Sequence, residues 1–338
     1  MQTTNLAHSS SETPCSRSEH RRVLGRLAPT PSGRMHLGNV LSSLLAWVSA
    51  KSQGGGVLLR IEDLDPSTQT GDWGSLLMDD LHWLGLDWDE GPVYQHDRID
   101  AYERALAVLE ERGLVYPCFC SRAELHAATA PHASDGTPIY SGTCRGLSTQ
   151  EVEERRKLKS PALRLAVPDA GDPAGTIAFD DLACGPQLQC LANECGDFLV
   201  RRSDGVFAYQ LAVAVDDAQM EVTEVVRGND LLSSTPRQIY LQRLLGYSCD
   251  MRYGHIPMLM SPDGKRLSKR DRDCGMDELR ERFGTPESLI GFLAHQCGLI
   301  EAFEPLSAAE LAARFSWSQL ACAPHEIYLT HDVASFSR

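Results

Sequence analysis

The segment at 31–39 carries groups that could hold a polyphosphate. It reads Pro-Ser-Gly-Arg-Met-His-Leu-Gly-Asn and lies between an apolar strand pattern at 23–29 and a helical pattern that begins near Gly38. A helix N-terminus offers unpaired backbone N–H groups and the positive end of the helix dipole. His36 and Asn39 add side-chain donors at the same place. Taken alone, the segment fits equally well a Pro/Gly turn followed by a core histidine.

A second candidate phosphate-binding element lies far away along the chain, at 263–270. Its sequence is Asp-Gly-Lys-Arg-Leu-Ser-Lys-Arg, which places four basic residues and one serine in a glycine-led loop. A loop of this kind can close over bound phosphates during a reaction. The alternative is an ordinary solvated surface loop. The two segments together are a much stronger indication of phosphate binding than either segment alone.

A third group of residues has the spacing of a metal site. Cys118-Phe-Cys120 is followed by Cys144, and thiolates that lie close together are good zinc ligands, usually four in number. The chain has 11 cysteines, and in a long chain an odd number indicates thiols or metal ligands rather than a disulfide framework. The fourth ligand position is open, and His126 or His132 could fill it. The alternative is three ordinary cysteines in a loop-rich segment.

The elements that must position these groups alternate between strand and helix. Strand patterns at 23–29 and 57–61 flank a helical pattern, and this βαβ unit predicts an α/β fold with a parallel sheet. The apolar face of the helix consists of Val40, Leu41, Leu44, Leu45 and Val48. Further helices are expected at 73–84, 98–112, 231–245, 276–283 and 287–296, with Gly246 as a cap. Strands are expected at 198–202, 206–215 and 221–226, a turn at 203–205, and a solvated helix face at 151–159.

The composition is that of a globular protein. The chain has 338 residues, of which 42% are hydrophobic and 23% are charged. A net charge of -14 argues against a protein that coats nucleic acid indiscriminately, although a local basic patch could still bind RNA. The sequence has no apolar run of membrane-spanning length and no signal peptide. We therefore expect a cytoplasmic enzyme with a disordered N-terminal extension.

The two phosphate-binding segments resemble the paired signatures of class I aminoacyl-tRNA synthetases, His-Leu-Gly-Asn at 36–39 and Arg-Leu-Ser-Lys-Arg at 266–270. Segments similar to the glutamyl branch of this family lie at 26–33, 60–65 and 226–238. The resemblance implies a Rossmann-type parallel sheet in the catalytic domain, a zinc-binding insertion and a short C-terminal helical region. The expected divisions are an extension at 1–22, the first half of the catalytic domain at 23–114, the insertion at 115–197, the second half at 198–275 and the helical region at 276–338.

The resemblance also implies a site for L-glutamate, ATP and Mg²⁺. The residues that would bind glutamate are Arg26, Leu27, Ala28, Pro29, Thr30, Glu62, Tyr209 and Arg227. Those that would bind ATP are His36, Gly38, Asn39, Ser268 and Lys269, of which His36, Asn39 and Lys269 would assist catalysis. Two guanidinium groups and one carboxylate complement two carboxylates and one ammonium, which favours glutamate over glutamine. For each arginine alone, a structural pairing with Asp63, Asp65 or Asp230 is an equally good interpretation.

Under this resemblance, Asn39 and Tyr140 are the two residues whose types are less usual for the roles implied. Asn39 stands where many class I enzymes have histidine, so the position keeps a hydrogen-bond donor but carries no charge. Glutamyl-queuosine synthetases show Cys-x-Cys followed by Tyr-x-x-x-Cys, and this pattern implies a closed structural Zn²⁺ site. The matching positions are Cys118, Cys120, Tyr140 and Cys144. A phenol must lose its proton to bind a metal well, so the two histidines remain alternatives to Tyr140.

The C-terminal region bears on the acceptor of the activated glutamate. Only 68 residues follow Arg270, too few for the module that reads the anticodon in ordinary glutamyl-tRNA synthetases. The layout resembles glutamyl-queuosine synthetases, which activate glutamate without tRNA and esterify queuosine at the wobble position of tRNA(Asp). The alternatives are a compact glutamyl-tRNA synthetase that charges tRNA(Glu), a non-catalytic RNA-binding regulator and, with weaker support, a small-molecule adenylyltransferase. A monomer is expected.

Overall fold

The structure is a computed structural model that describes residues 22–125, 139–248, 250–261, 264, 275–321, 323 and 325–329. Its strands are β1 (Leu24–Leu27), β2 (Gly56–Ile61), β3 (Glu90–Tyr94), β4 (Val115–Cys118), β5 (Ala162–Leu165), β6 (Thr176–Asp181), β7 (Gly185–Cys190), β8 (Phe198–Arg201), β9 (Glu224–Gly228), β10 (Arg252–Ile256), β11 (Met258–Met260) and β12 (Glu326–Tyr328). Its α-helices are α1 (Leu37–Ser52), α2 (Trp73–Trp83), α3 (Ile99–Glu111), α4 (Arg122–Leu125), α5 (Thr149–Arg156), α6 (Leu191–Glu194), α7 (Tyr209–Gln219), α8 (Ser234–Leu245), α9 (Met276–Phe283), α10 (Pro286–Gln296), α11 (Ala308–Arg314) and α12 (Trp317–Leu320). The expected extension up to residue 21 lies outside the described residues, as do His126, His132, Ser268 and Lys269.

The central sheet is parallel, and its strand order reverses between β1 and β9. On one side β1 pairs with β2 and β2 pairs with β3. On the other side β9 pairs with β10, which is followed by β6 and its antiparallel partner β7. β9 lies beside β1, where the Thr223 N–H donates to the Leu24 carbonyl at 2.9 Å. The predicted α/β fold with a parallel sheet is confirmed, and the crevice at the carboxyl ends of β1 and β9 is the usual ligand site of such sheets.

Helix α1 packs in the middle of the molecule because its surface is apolar on nearly every side. The five positions predicted to form its apolar face are all buried, and so are Trp47 and Ala50. The helix contacts β1 and β9 on one side and α11 on another. Burial of each leucine contributes about 1.5–3 kcal/mol, so this packing holds the N-terminus of α1 over the crevice.

The prediction of a strand at 206–215 is wrong, because α7 begins at Tyr209 and continues to Gln219. Every residue at 211–215 is buried, and an apolar run buried on all sides does not distinguish a strand from a helix by its period. Contacts of α7 with α3 and α8 stabilise the helix. The turn at 203–205 is confirmed, because Phe207 pairs with Arg201 across it.

The other helix predictions are confirmed as α2, α3, α8, α9 and α10. Gly246 ends α8 in the left-handed conformation with a φ of 73°, as its role as a cap requires. The strand expected at 221–226 begins later, at Glu224, as β9. No helix among the described residues has the length and apolar character needed to cross a membrane.

The described parts of the segment, 115–125 and 139–197, contain antiparallel units that join the rest of the chain through strand pairing. β4 and β5 form one sheet with β8, which follows the expected boundary at residue 197. The hairpin of β6 and β7 joins the central sheet where Asp181 pairs with Tyr253 of β10. α5, which comes from the charged run at 151–159, has no buried residue and is solvated as predicted.

Candidate active site

A cavity of about 380 Å³ opens where the strand order reverses, at the carboxyl ends of β1 and β9. Its lining includes every residue that the sequence assigned to glutamate binding, namely Arg26, Leu27, Ala28, Pro29, Thr30, Glu62, Tyr209 and Arg227. The end of β1, the residue after β2, the start of α7 and β9 supply these groups. Asn39 of α1 lines the same cavity, so the candidate glutamate and phosphate sites are continuous.

Arg26 is the last-but-one residue of β1 and is only 5% exposed. Its Nη1 donates to the Val226 carbonyl at 2.9 Å, which connects β1 to β9 across the crevice. Its Nε lies 3.6 Å from Oδ1 of Asp217. Burial lowers the pKa of Arg26, and the nearby Asp217 carboxylate opposes this shift. The guanidinium therefore stands at the cavity with an internal carboxylate already beside it.

Arg60 links Glu62 to the same carboxylate. This fully buried arginine donates from Nη2 to Oε1 of Glu62 at 3.0 Å and from Nη1 to Oδ1 of Asp217 at 2.6 Å. Burial raises the pKa of Glu62, whereas Arg60 and Arg26 act in the opposite direction. Burial also raises the pKa of Asp217, but Arg60, Arg26 and, more weakly, Arg227 outweigh it and the net pKa is lowered. Arg26 and Glu62 are thus parts of one ion-pair network.

The acidic pair in α7 that anchors this network, Asp216 and Asp217, was not among the residues predicted from sequence. Asp216, next to Asp217, accepts from Arg98 Nε at 2.6 Å, from Tyr102 Oη at 2.8 Å and from Gln95 Nε2 at 2.8 Å. Two adjacent acids inside an apolar run were the available signal, because buried carboxylates are kept only where partners surround them. Of the structural partners considered earlier, Asp63 contacts His96 and Asp65 contacts Arg202, whereas Asp230 lines the same cavity as the two arginines.

Arg227 of β9, the strand beside β1, lines the same cavity and is also 5% exposed. Its Nε donates to Nε2 of His255 at 3.1 Å, and its Nη2 donates to Oγ1 of Thr235 at 2.8 Å. Its Nη1 donates to Oε1 of Gln238 at 2.9 Å and to the Tyr209 hydroxyl at 3.4 Å. Among the described residues, no carboxylate lies within ion-pair distance of this guanidinium. Its charge therefore faces the cavity without a directly paired anion, and it acts at longer range on the Asp217 carboxylate.

His255 is held from its other side by a buried carboxylate. Its Nδ1 lies 2.6 Å from Oδ2 of Asp181, and neither side chain is exposed. Burial lowers the pKa of His255, the hydrogen bond to Asp181 opposes this shift, and the charge of Arg227 lowers the pKa further. Sequence reasoning missed both residues, which are 74 positions apart and carry no local motif.

His36 and Asn39 form a reciprocal cap at the start of α1. Nδ1 of His36 accepts from the backbone N–H groups of Gly38 at 3.1 Å and Asn39 at 3.4 Å, and Oδ1 of Asn39 accepts from the His36 N–H at 3.4 Å. Because Nδ1 accepts, the proton of a neutral His36 lies on Nε2. Because Oδ1 of Asn39 is used in the cap, its amide NH₂ remains the group that can donate to a phosphate in the cavity that Asn39 lines.

The predicted second phosphate element lies largely outside the described residues, but the chain on both sides of it is placed. The N–H of Met276 donates to the Met35 carbonyl at 3.1 Å, and Gly275 forms an isolated bridge with His36. A small cavity of about 60 Å³ is lined by His36 and Asn39 together with 257–259. Both flanks of the Ser268 and Lys269 segment therefore border the start of α1.

The four residues predicted as metal ligands lie together. The sulfur atoms of Cys118, Cys120 and Cys144 are all within 4.8 Å of one another and could hold a metal ion. The Tyr140 hydroxyl lies 3.5 Å from Sγ of Cys118 and 3.7 Å from Sγ of Cys120. The backbone N–H of Cys144 donates to the Tyr140 oxygen at 2.8 Å. Three thiols and one phenol oxygen match the number of ligands in a closed zinc site.

Arg164 of β5 adds positive charge to this cluster. Its guanidinium carbon lies 3.9 Å from the centre of the Tyr140 ring, and its Nε donates to Sγ of Cys118 at 3.3 Å. Burial raises the pKa of Cys118, but hydrogen bonds from Tyr140 and Arg164 lower it overall. Burial raises the pKa of Cys120 to about 11. A bound cation would reverse that shift, because a coordinating thiol is deprotonated.

Known proteins similar to this chain are class I tRNA synthetases specific for glutamate or glutamine and their glutamyl-Q relatives. The family model for the catalytic domain of class I tRNA synthetases (E and Q) matches residues 22–320. A glutamyl-Q tRNA(Asp) synthetase of Symbiobacterium thermophilum is 46% identical over 317 residues, which cover 90% of this chain and 96% of that relative. Glutamate–tRNA ligase 2 of Alkalilimnicola ehrlichii is 41% identical over 316 residues, which cover 89% of this chain and 65% of that relative.

The fold has also been seen in solved structures. The crystal structure of a glutamate tRNA ligase from Elizabethkingia meningosepticum in complex with its amino acid aligns with a TM-score of 0.75 and 24% sequence identity. The alignment covers 94% of this chain and 68% of that chain. At this identity the likeness concerns the fold alone.

Proposed function

We propose a function from the premise that this chain belongs to the class I tRNA synthetase family for E and Q and, within it, to the glutamyl-Q tRNA(Asp) synthetases. The chain is an enzyme, a ligase of the class I aminoacyl-tRNA synthetase type. Its proposed reaction is activation of L-glutamate with ATP in the absence of tRNA. Transfer of the glutamyl group to queuosine at the wobble position of tRNA(Asp) follows. We also propose that the enzyme acts in the cytoplasm, where ATP and tRNA are found, and that it is a monomer.

The observation that carries the proposal is the charge pattern of the 380 Å³ cavity. Arg26 of β1 and Arg227 of β9 line it together with Glu62, the residue after β2, and Asp230 lines it as well. Glutamate brings two carboxylates and one ammonium, so each of its charges meets an opposite one. Glutamine would leave one buried guanidinium without an anion, and an unpaired buried group discriminates strongly against the wrong substrate.

In the proposed activation step, an oxygen of the α-carboxylate attacks the α-phosphorus of ATP. A new O–P bond forms, the bond from the α-phosphorus to the bridging oxygen breaks, and pyrophosphate leaves. His36, Gly38 and Asn39 bind the phosphates at the start of α1, and Ser268 and Lys269 bind them from the second element. Mg²⁺ bound with ATP supplies further charge neutralisation. Loss of one such donor costs about 3 kcal/mol in the barrier.

In the proposed transfer step, a hydroxyl of the queuosine cyclopentene diol attacks the glutamyl carbonyl carbon. An ester bond forms, AMP leaves with the bonding pair, and the hydroxyl proton passes to solvent or to the phosphate of AMP. The identity of the acceptor rests on the glutamyl-Q relatives, because the cavity residues concern glutamate and ATP. The runner-up is glutamylation of the 3′ end of tRNA(Glu), which the glutamate–tRNA ligase relative supports at lower identity.

Two tRNA pools test the acceptor. Purified enzyme is incubated with ATP, Mg²⁺ and radiolabelled glutamate, and with tRNA from cells that either make or lack queuosine. We expect label only in the queuosine-containing pool, together with ATP–pyrophosphate exchange in the absence of tRNA. Equal labelling of both pools would overturn the queuosine assignment and support the 3′-charging enzyme. Full biological activity of a Lys269→Ala variant would instead support a regulator without catalysis.

We further propose that Cys118, Cys120, Tyr140 and Cys144 hold a structural Zn²⁺. The support is the close approach of the four side chains and the burial of all of them except Cys120, which is half-buried. Metal analysis should give about one zinc per chain, and Cys144→Ser should lose the metal and lower the midpoint of thermal unfolding, because a structural zinc stabilises the fold. Cys297→Ser, which alters a buried cysteine outside the cluster, is the matched control. Equal zinc content in both variants would exclude this site.

A further inference from the structure

We propose that His255, oriented by Asp181, is a positioning residue for Arg227 and keeps the charge of that arginine available for a carboxylate of the substrate. The inference rests on the proposed function in one respect, namely that the carboxylate belongs to glutamate. Neither His255 nor Asp181 lines the 380 Å³ cavity. Both would act through Arg227, which does.

The position of His255 follows from strand pairing. β9 and β10 are parallel neighbours, and Arg227 is the register partner of His255. Asp181 ends β6 and is fixed by backbone groups, because its Oδ1 accepts from the N–H groups of His255 at 3.1 Å, Ala183 at 3.0 Å and Cys184 at 2.9 Å. Its Oδ2 is thereby aimed at Nδ1 of His255, at 2.6 Å.

This contact determines which nitrogen of the imidazole carries the proton. A carboxylate can only accept, so Nδ1 holds the hydrogen and Nε2 presents its lone pair. That lone pair accepts from Nε of Arg227 at 3.1 Å. Thr235 completes the arrangement, since its Oγ1 accepts from Nη2 of Arg227 and lies 3.2 Å from Nε2 of His255, to which its hydroxyl can donate.

The described side chains that accept hydrogen bonds from Arg227 are all neutral. Besides His255 and Thr235, they are the amide oxygen of Gln238 and the hydroxyl of Tyr209. A carboxylate at any of these positions would hold the guanidinium equally well but would also neutralise it. The neutral ring therefore fixes the orientation of Arg227 and leaves its charge for an anion that enters the cavity.

A buried Asp–His pair that serves only the fold predicts a different pattern of effects. Loss of His255 would then lower stability and affect the use of glutamate and of ATP alike. The positioning role instead predicts a rise confined to the KM for glutamate and a partial rescue by a side chain that restores a neutral acceptor. It also predicts that adding a negative charge beside Arg227 is harmful even when every hydrogen bond is kept.

The first experiment measures glutamate-dependent ATP–pyrophosphate exchange for His255→Leu, His255→Gln and the control His295→Leu, which alters a histidine of α10 outside the cavity. We expect His255→Leu to raise the KM for glutamate about tenfold to a hundredfold, with the KM for ATP unchanged, because a buried donor is left unpaired. His255→Gln should recover most of this loss through its amide oxygen. Equal KM values for glutamate in wild type and His255→Leu, or equal impairment of the Leu and Gln variants, would overturn the proposal.

The second variant is Gln238→Glu, which keeps the shape and the hydrogen bond of residue 238 but adds a carboxylate 2.9 Å from Nη1 of Arg227. We expect at least a tenfold rise in the KM for glutamate without a fall in the midpoint of thermal unfolding. This variant does not depend on whether His255→Leu folds. An unchanged KM in Gln238→Glu would contradict the idea that the free charge of Arg227 is what binds the substrate.

Failure of the proposed function is separable from failure of this inference. Wild-type enzyme that shows no glutamate-dependent exchange would sink the proposed function. In that case, protection against thermal unfolding by glutarate, a dicarboxylate without an ammonium group, still measures anion binding at Arg227. Protection that is present in wild type and lost in Gln238→Glu supports the inference, and protection that is equal in both, or absent in wild type, overturns it.

Discussion

The two arginines of the cavity have the same exposure and opposite surroundings. Arg26 lies beside Asp217, which also binds Arg60, and Arg60 in turn holds Glu62. Arg227 is surrounded by neutral acceptors. We call the first set, Arg26, Arg60, Glu62 and Asp217, the balanced wall. The second set, Arg227, Thr235, Gln238 and His255 with Asp181 behind it, is the charged wall.

The difference between the walls indicates that one wall mainly stabilises the fold and the other mainly binds the substrate. Buried charges are stable only where partners compensate the loss of hydration. The balanced wall satisfies that condition internally, so its charges contribute to the fold whether or not a ligand is present. The charged wall satisfies the hydrogen bonds of its arginine but not its charge, so a carboxylate ligand completes it. Substitutions in the two walls should therefore separate stability from substrate binding.

The largest effect on stability is expected in the balanced wall. Asp217→Asn removes the carboxylate shared by Arg26 and Arg60 and leaves buried cations without their closest partner. Breaking a buried ion pair on one side costs about 3–5 kcal/mol in the free energy of unfolding. Denaturant titration measures this loss. Asp204→Asn is the control, because Asp204 pairs with Arg202 at an exposed site, where such pairs contribute about 0–1 kcal/mol. A loss in Asp217→Asn no greater than in this control would show that the wall is not a stabilising network.

The carboxylates of the balanced wall also mark the limit of prediction from sequence. Arg26, Glu62 and Arg227 could be predicted because each stands in a segment with a recognisable local pattern. Asp217 could not, because the apolar run around it fits a strand as well as a helix, and only tertiary packing made it α7. The contact of Asp181 with His255 depends on the order of β6, β10 and β9, which no local spacing encodes.

In the charged wall, a substitution should impair the use of glutamate more than it lowers the free energy of unfolding. Arg227→Met removes the charge that meets the substrate carboxylate. Truncating one partner of a buried charge pair costs about 2–5 kcal/mol, or roughly 30-fold to several-thousandfold in kcat/KM for glutamate. The free energy of unfolding should fall less, by about 1–3 kcal/mol, since the lost hydrogen bonds are offset in part by removal of an uncompensated charge. Pyrophosphate exchange and denaturant titration on the same preparation test both halves of this prediction. If Arg227→Met lowered the free energy of unfolding more than Asp217→Asn does, the distinction between the two walls would be wrong.

The smallest expected effect is on the pH dependence of glutamate binding. Burial and the charge of Arg227 hold the pKa of His255 below its ordinary value of 6.5, although Asp181 opposes them. Around neutral pH the imidazole is therefore uncharged and Nε2 accepts from Arg227. As the pH falls below 6.5 and through the lowered pKa, a proton adds to Nε2, and donor then faces donor.

The KM for glutamate, measured at saturating ATP, should accordingly be flat near neutral pH and rise at acid pH. The rise reflects His255 only if it disappears in His255→Gln, whose amide does not titrate. Glu62 is the competing source, because burial raises its pKa and its protonation would remove the partner of the substrate ammonium. An acid rise that persists unchanged in His255→Gln would assign the pH dependence to the balanced wall. The charged wall would then be insensitive to pH over the tested range, which means that His255 stays neutral throughout that range.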